Sequence, residues 1–206
     1  LSAIAYDNKL CKQAINQQAE IAIIILSPLL LIFLTYIKWI IIVLYSDQFI
    51  EINGMIYWAT VGMYFKVASW PIGYIFLAKG ASKLFFWNEL VTNIYLLGFN
   101  LIGYHYGGLT GLGIAFAISY FLHLLQIYFV SKIKFSFTFE KTFVKLFIVQ
   151  FSLAFLSFLS INFASYPYTY FLGSVLFFIS AGYSILELNK RLSLREILLS
   201  FSEKKN

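Results

Sequence analysis

An all-α polytopic membrane protein is the fold class that this sequence predicts, and three observations carry the prediction. Hydrophobic residues fill 61% of the 206 positions and charged residues only 12%, a charged share about half that of a soluble domain. The apolar residues gather into six runs, each near the ~20 residues that a helix needs to cross a hydrocarbon core. Lys and Arg collect in alternate links between those runs, the topology signal of a multi-pass protein. A net charge of +6 distributed in this way argues for a membrane surface and against nucleic acid as a partner. Cys11 is the one cysteine, which rules out an internal disulfide.

In chain order, residues 1–19 form a mixed polar segment expected on the cytoplasmic side, containing Lys9 and Lys12. No basic n-region or cleavage site marks a signal peptide, and the start at Leu1 is read as the interior of a longer protein. Residues 20–187 are expected to form a six-span membrane domain, with spans at about 21–45, 55–77, 84–105, 109–130, 143–163 and 169–186. Pro28 bends the first span and the Trp70-Pro71 pair the second. A short basic turn with Lys79 and Lys83 leads to the third. Gly107 and Gly108 precede the fourth, where Gly111, Ala115 and Ser119 recur every fourth residue as a ridge of small side chains for close helix packing. A longer connection at 131–145 carries Lys132, Lys134, Lys141, Lys145 and Glu140, and an aromatic turn around Pro167 joins the last two spans. Residues 188–206 read as a basic cytoplasmic tail. Of the fifteen Lys and Arg, all but Lys38 and Lys66 fall in the N-terminal segment, the 78–83 turn, the 131–145 link or the tail. With six spans, that alternation places both ends of this chain in the cytoplasm.

Two ionisable residues interrupt the apolar pattern and carry the functional argument. Lys66 lies near the middle of its span, its backbone about 16 Å from either surface. A charge at that depth costs at least ~2.5 kcal/mol to insert. It calls for a wet lumen and a task, or for an ion-pair partner. Glu89 shares a helical stripe with Thr92, Asn93 and Asn100 and is the candidate for coupling to an ion; it is also the candidate partner of Lys66. On the second span, Lys66 shares a face with Trp58, Gly62, Ser69, Trp70 and Gly73. Trp58, Lys66, Ser69, Trp70, Asn93 and Asn100 are the candidate substrate-binding residues. Aromatic faces stack on sugars, and an ammonium attracts phosphate oxygens. Helix packing accounts for the same small and aromatic residues. Lys38, beside Tyr36 and Trp39, can snorkel to the interface. His123 and Gln126 extend the small-residue ridge and suit an interhelical hydrogen bond or a proton relay.

No metal-spaced Cys/His cluster, phosphate-binding glycine loop or nucleophile elbow is present, so no metal, no cofactor and no enzyme activity is expected. The glycines at 107, 108, 111 and 113 resemble a dinucleotide fingerprint only superficially, because no strand precedes them.

Four stretches in family order do resemble a known family. LYSDQF at 44–49 resembles the signature that closes a helix in polysaccharide flippases, with Ser46 where glycine is usual. IFLAKGASKLFFWNE at 75–89 resembles that family's helix end and turn. GLTGLGIAFAIS at 108–119 resembles its glycine-rich helix entry, and the opening LSAIAYDN the tail of a cytoplasmic link. The family is the Wzx-type O-antigen and polysaccharide flippase, within the multidrug, oligosaccharidyl-lipid and polysaccharide exporter superfamily. The resemblance implies the C-terminal part of a bacterial inner-membrane protein with about 12 to 14 helices in two bundles that rock in alternating access. Its implied substrate is an undecaprenyl-diphosphate-linked oligosaccharide, an O-antigen or capsule repeat unit, moved from the cytoplasmic to the periplasmic leaflet. Membrane lipid, H⁺ or Na⁺, and the polysaccharide polymerase machinery are the other expected partners. A cation-coupled drug antiporter, a structural membrane subunit and a membrane-embedded glycosyltransferase or polymerase remain alternatives. The last lacks a catalytic cluster in its short outward links.

Overall fold

The computed structural model describes residues 7–163 and 165–192. Among them every regular element is helical: α1 (Asn8–Leu44), a 3-10 turn (Asp47–Ile52), α2 (Asn53–Ala78), α3 (Ser82–Phe135), α4 (Lys141–Phe163) and α5 (Tyr168–Leu192). The five α-helices are long and apolar enough to cross a membrane. Residues 1–6, which hold most of the opening stretch, lie outside the described residues, as does the expected basic tail from 193 onward.

The Asp7 carboxylate starts α1 by accepting from the backbone N–H groups of Lys9 at 2.7 Å and Leu10 at 3.2 Å, donors that the first helical turn leaves open. The helix then runs 37 residues, about 55 Å at 1.5 Å per residue. The expected N-terminal segment from residue 8 onward and the first span are therefore one element. Pro28 lies inside α1. The hydroxyls of Ser27 and Thr35 are kept paired on the carbonyls of Ile23 (2.6 Å) and Leu31 (2.8 Å), as a helix in an apolar medium requires.

The expected third and fourth spans fall within the single long helix α3. One residue, Gly108, breaks it with φ 54° and ψ −137°, a conformation open to a residue without Cβ. Residues 82–107 and 109–135 fold back on each other as antiparallel arms. Gly103 and Gly111 meet backbone to backbone there; a Cβ on Gly111 would stand 1.9 Å from the Gly103 carbonyl oxygen. The link expected over 131–145 also shrinks, to residues 136–140. Lys132 and Lys134 ride exposed on the last turn of α3, where cations offset the helix dipole. Buried Asn16 holds this short link to α1, donating to Thr138 O (3.2 Å) and accepting from Glu140 N (2.8 Å).

α1 packs against α2, α4 and α5, and α2 also meets α4, so that α1, α2 and α4 share one buried cluster. Along α4, Phe147, Phe151 and Phe155 stack at i,i+4 spacing with ring centroids 5.7 and 6.1 Å apart, and Phe143 continues the row as a tilted ring at 6.0 Å. Tyr64 and Phe65 of α2 pack against the Phe151 ring. Close packing of this kind holds helices together where lipid removes the hydrophobic drive. Polar clasps add to it: Gln150 accepts from Ser180 Oγ (2.6 Å) and donates to Ser184 Oγ (2.8 Å), all fully or nearly buried between α4 and α5. At the end of the bundle where α1 enters, Arg191 binds Glu20 Oε2 at 2.8 Å and Glu187 Oε2 at 2.6 Å, and the Thr142 hydroxyl donates to Glu20. That cluster ties α1, α4 and α5 together. It leaves α2 and the two arms of α3 to build the cavity described next.

A charged cavity between the second and third helices

α2 contributes Lys66, Ser69, Trp70 and Gly73 to a cavity of about 150 Å³; the first arm of α3 adds Phe85 and Glu89, and the second arm Tyr120, His123 and Ile127. The space is large enough for several water molecules or one small anionic group. Successive α2 residues at i, i+3, i+4 and i+7 reach it because they share one helical face.

Lys66 points its ammonium at aromatic faces, 4.9 Å from the Tyr120 ring centroid and 5.8 Å from that of Phe116. Cation–π contact compensates part of the cost of removing the charge from water and leaves the N–H donors free to bind. The ion pairs found among the described residues do not include Lys66. The pairing of Lys66 with Glu89 that the sequence offers is thus not formed, although both line the same space. Glu89 lies nearer His123, with Oε1 4.0 Å from Nε2. His123 Nδ1 meets Thr92 Oγ1 at 3.0 Å, so the ring is held from one side and faces the carboxylate with the other.

The other expected site residues divide. Ser69 lines the cavity while its hydroxyl donates to Lys66 O at 2.9 Å, and Trp70 forms a wall. Trp58 does not line this cavity: its ring packs edge-on against Phe158 of α4, centroids 4.9 Å apart. Eight residues along a helix turn a side chain by about 80°, enough to carry Trp58 from the α3 side of α2 to the α4 side. Gly62 also leaves the site, lying against Phe116 and the Ala117 backbone. Asn93 is exposed and spends its amide on Glu89 O at 2.8 Å, and Asn100 sits about 16 Å farther along the arm than Glu89; neither lines the cavity. Gly111 and Ala115 lie against Gly103 of the first arm, and buried Ser119 donates to Ala115 O at 2.7 Å.

Asn88 and Tyr120 are the residues that sequence reasoning missed. The polar stripe on the first arm is rotated by about one residue from the expected one. Its inward face is Asn88 and Thr92, and Gln126 Nε2 donates to Asn88 Oδ1 at 2.9 Å and Asn88 O at 3.0 Å. The polar residue next to Glu89 was the available signal. His123 and Gln126 both act across the two arms, which fixes the register of the hairpin beside the cavity. No cluster of His, Cys, Asp and Glu suited to a metal occurs among the described residues.

No protein-family model, no curated protein and no solved structure matches this chain.

Proposed function

We propose that this chain is part of a bacterial inner-membrane flippase that carries a polyprenyl-diphosphate-linked oligosaccharide from the cytoplasmic to the periplasmic leaflet by alternating access. One observation carries the reading: the Lys66 ammonium sits in a cavity among apolar helices, held by two aromatic faces and bound to no carboxylate. A positive charge kept unpaired at that depth is retained for an anionic ligand, and a diphosphate supplies the matching oxygens. On this reading the arms 82–107 and 109–135 are separate crossings, which makes six. The basic end of the bundle faces the cytoplasm, and the cavity opens in the half of the membrane where the substrate is made. The diphosphate slides past Lys66 and Ser69 while the hydrocarbon tail stays in lipid.

The proximity of Glu89 and His123 favours a second reading, a cation-coupled exporter in which that pair takes up H⁺ or Na⁺. The scaffold alternative needs Lys66 and Glu89 to neutralise each other, and the geometry does not bring them into an ion pair. The deciding experiment places the intact protein in a bacterial strain lacking its own flippase. Restored surface glycan that disappears with Lys66→Ala at unchanged membrane level supports flipping. Wild-type export by Lys66→Ala would sink it, and absent glycan together with Glu89-dependent dye efflux would select the antiporter.

A further inference from the structure

Trp70 is a wall shared by two cavities. On one side is the charged cavity of Lys66, Glu89 and His123; on the other, between α1 and α2, is a second space of about 200 Å³ lined by Gln18, Val67, Pro71 and Tyr74 among others. The second cavity holds no Asp, Glu, Lys, Arg or His. The indole between them is 65% exposed, so one of its faces stays open to a ligand or to lipid.

We propose that this second cavity is a pyranose subsite, in which a sugar ring stacks on Trp70 while the diphosphate it is attached to occupies the neighbouring charged cavity. The inference rests on the flippase reading and adds to it the place of the carbohydrate. Three features favour a hydroxylated ring over a hydrocarbon chain. Gln18, in the lining, offers both an amide donor and an acceptor, and Tyr74 offers a phenol. Pro71 has no N–H, so the carbonyl of Val67, another residue lining the cavity, lacks the donor that an ordinary residue four positions on would supply and keeps a free acceptor for a sugar hydroxyl. The broad indole face suits the apolar C–H face of a pyranose. A small site with one aromatic platform and a few convergent polar groups is the usual form of a specific ligand pocket. The uncharged lining separates its task from that of Lys66.

The test uses the purified intact protein in lipid nanodiscs, with Trp39, Trp58, Trp87 and any tryptophan outside this chain replaced by Phe so that Trp70 is the one indole. Farnesyl diphosphate and farnesyl-diphosphate-linked N-acetylglucosamine are titrated while Trp70 emission is followed. The sugar-bearing probe is expected to bind about ten-fold more tightly and to shift the emission to shorter wavelength. Gln18→Ala and, separately, Tyr74→Phe should reduce that preference, while Lys66→Ala should weaken both probes together. A preference that survives the Gln18→Ala, Tyr74→Ala double variant overturns the sugar subsite and leaves the diphosphate reading standing. The same emission shift from phosphatidylglycerol marks the cavity as a lipid contact and also overturns it. Binding of farnesyl diphosphate unaffected by Lys66→Ala overturns the flippase reading itself and the subsite with it.

Discussion

Two groups of charge lie among these helices, and they are built in opposite ways. In the cluster that joins α1, α4 and α5, Arg191 meets two carboxylates at 2.6 and 2.8 Å, and the 6% exposed Glu20 also receives the Thr142 hydroxyl. In the cavity between α2 and α3, Lys66 has aromatic faces for company, and Glu89 has a histidine at 4.0 Å. A saturated cluster holds helices in place, because its groups have nothing left to offer a ligand. An unsaturated one keeps its binding capacity and costs stability to maintain. The contrast separates architecture from candidate function more sharply than the count of buried charges does.

The comparison can be broken most forcefully at Arg191. Arg191→Ala leaves the buried Glu20 carboxylate uncompensated and should cost about 3 to 5 kcal/mol, seen as a lowered unfolding midpoint in detergent. Adding Glu20→Gln should recover much of the loss, and no recovery would mean that the charge pairing is not what binds α1 to α5. Next comes the α3 hairpin that shapes the cavity. Gly111→Val drives a branched side chain into the Gly103 carbonyl, with an expected cost of about 1 to 3 kcal/mol. Cysteine crosslinking between positions 92 and 123 would reveal the separated arms. Unchanged crosslinking would refute the close approach.

Lys66→Ala belongs on the other side of the comparison. It removes a cation–π contact worth about 0.5 to 2 kcal/mol, and it also removes a charge from an unfavourable place. The unfolding midpoint should hardly move, while on the flippase reading export falls. A fall as large as that of Arg191→Ala would place Lys66 with the structural charges. At Gln150→Leu, loss of the bonds to Ser180 and Ser184 should cost about 0.6 to 1.7 kcal/mol, and on the flippase reading glycan export is retained. Lost export at normal stability would show that the α4 and α5 hairpin takes a direct part in transport.

Much of the architecture was legible in the residues themselves. Runs of apolar side chains near the length of a membrane crossing determine long helices, and polar or glycine-bearing stretches between them determine the breaks, because both depend on neighbours in the chain. Lys66 and Glu89 stood out for the same reason, as ionisable residues where transfer free energies disfavour them. Periodicity then reaches its limit. It says which side chains share a face and leaves open which neighbour that face meets. Trp58 and Lys66 looked alike from the sequence, and the packing of α2 between α3 and α4 sent one to Phe158 and the other to Tyr120. Asn88 displaced Asn93 on the inward stripe because the second arm of α3 brings Gln126 there. Glu20 and Arg191 are far apart in the chain and carry no local signal of pairing. Local free energies, read along the chain, determined where helices run and which charges are out of place. Tertiary structure alone decided which charges are satisfied, since a partner is a property of two helices and appears in neither one alone.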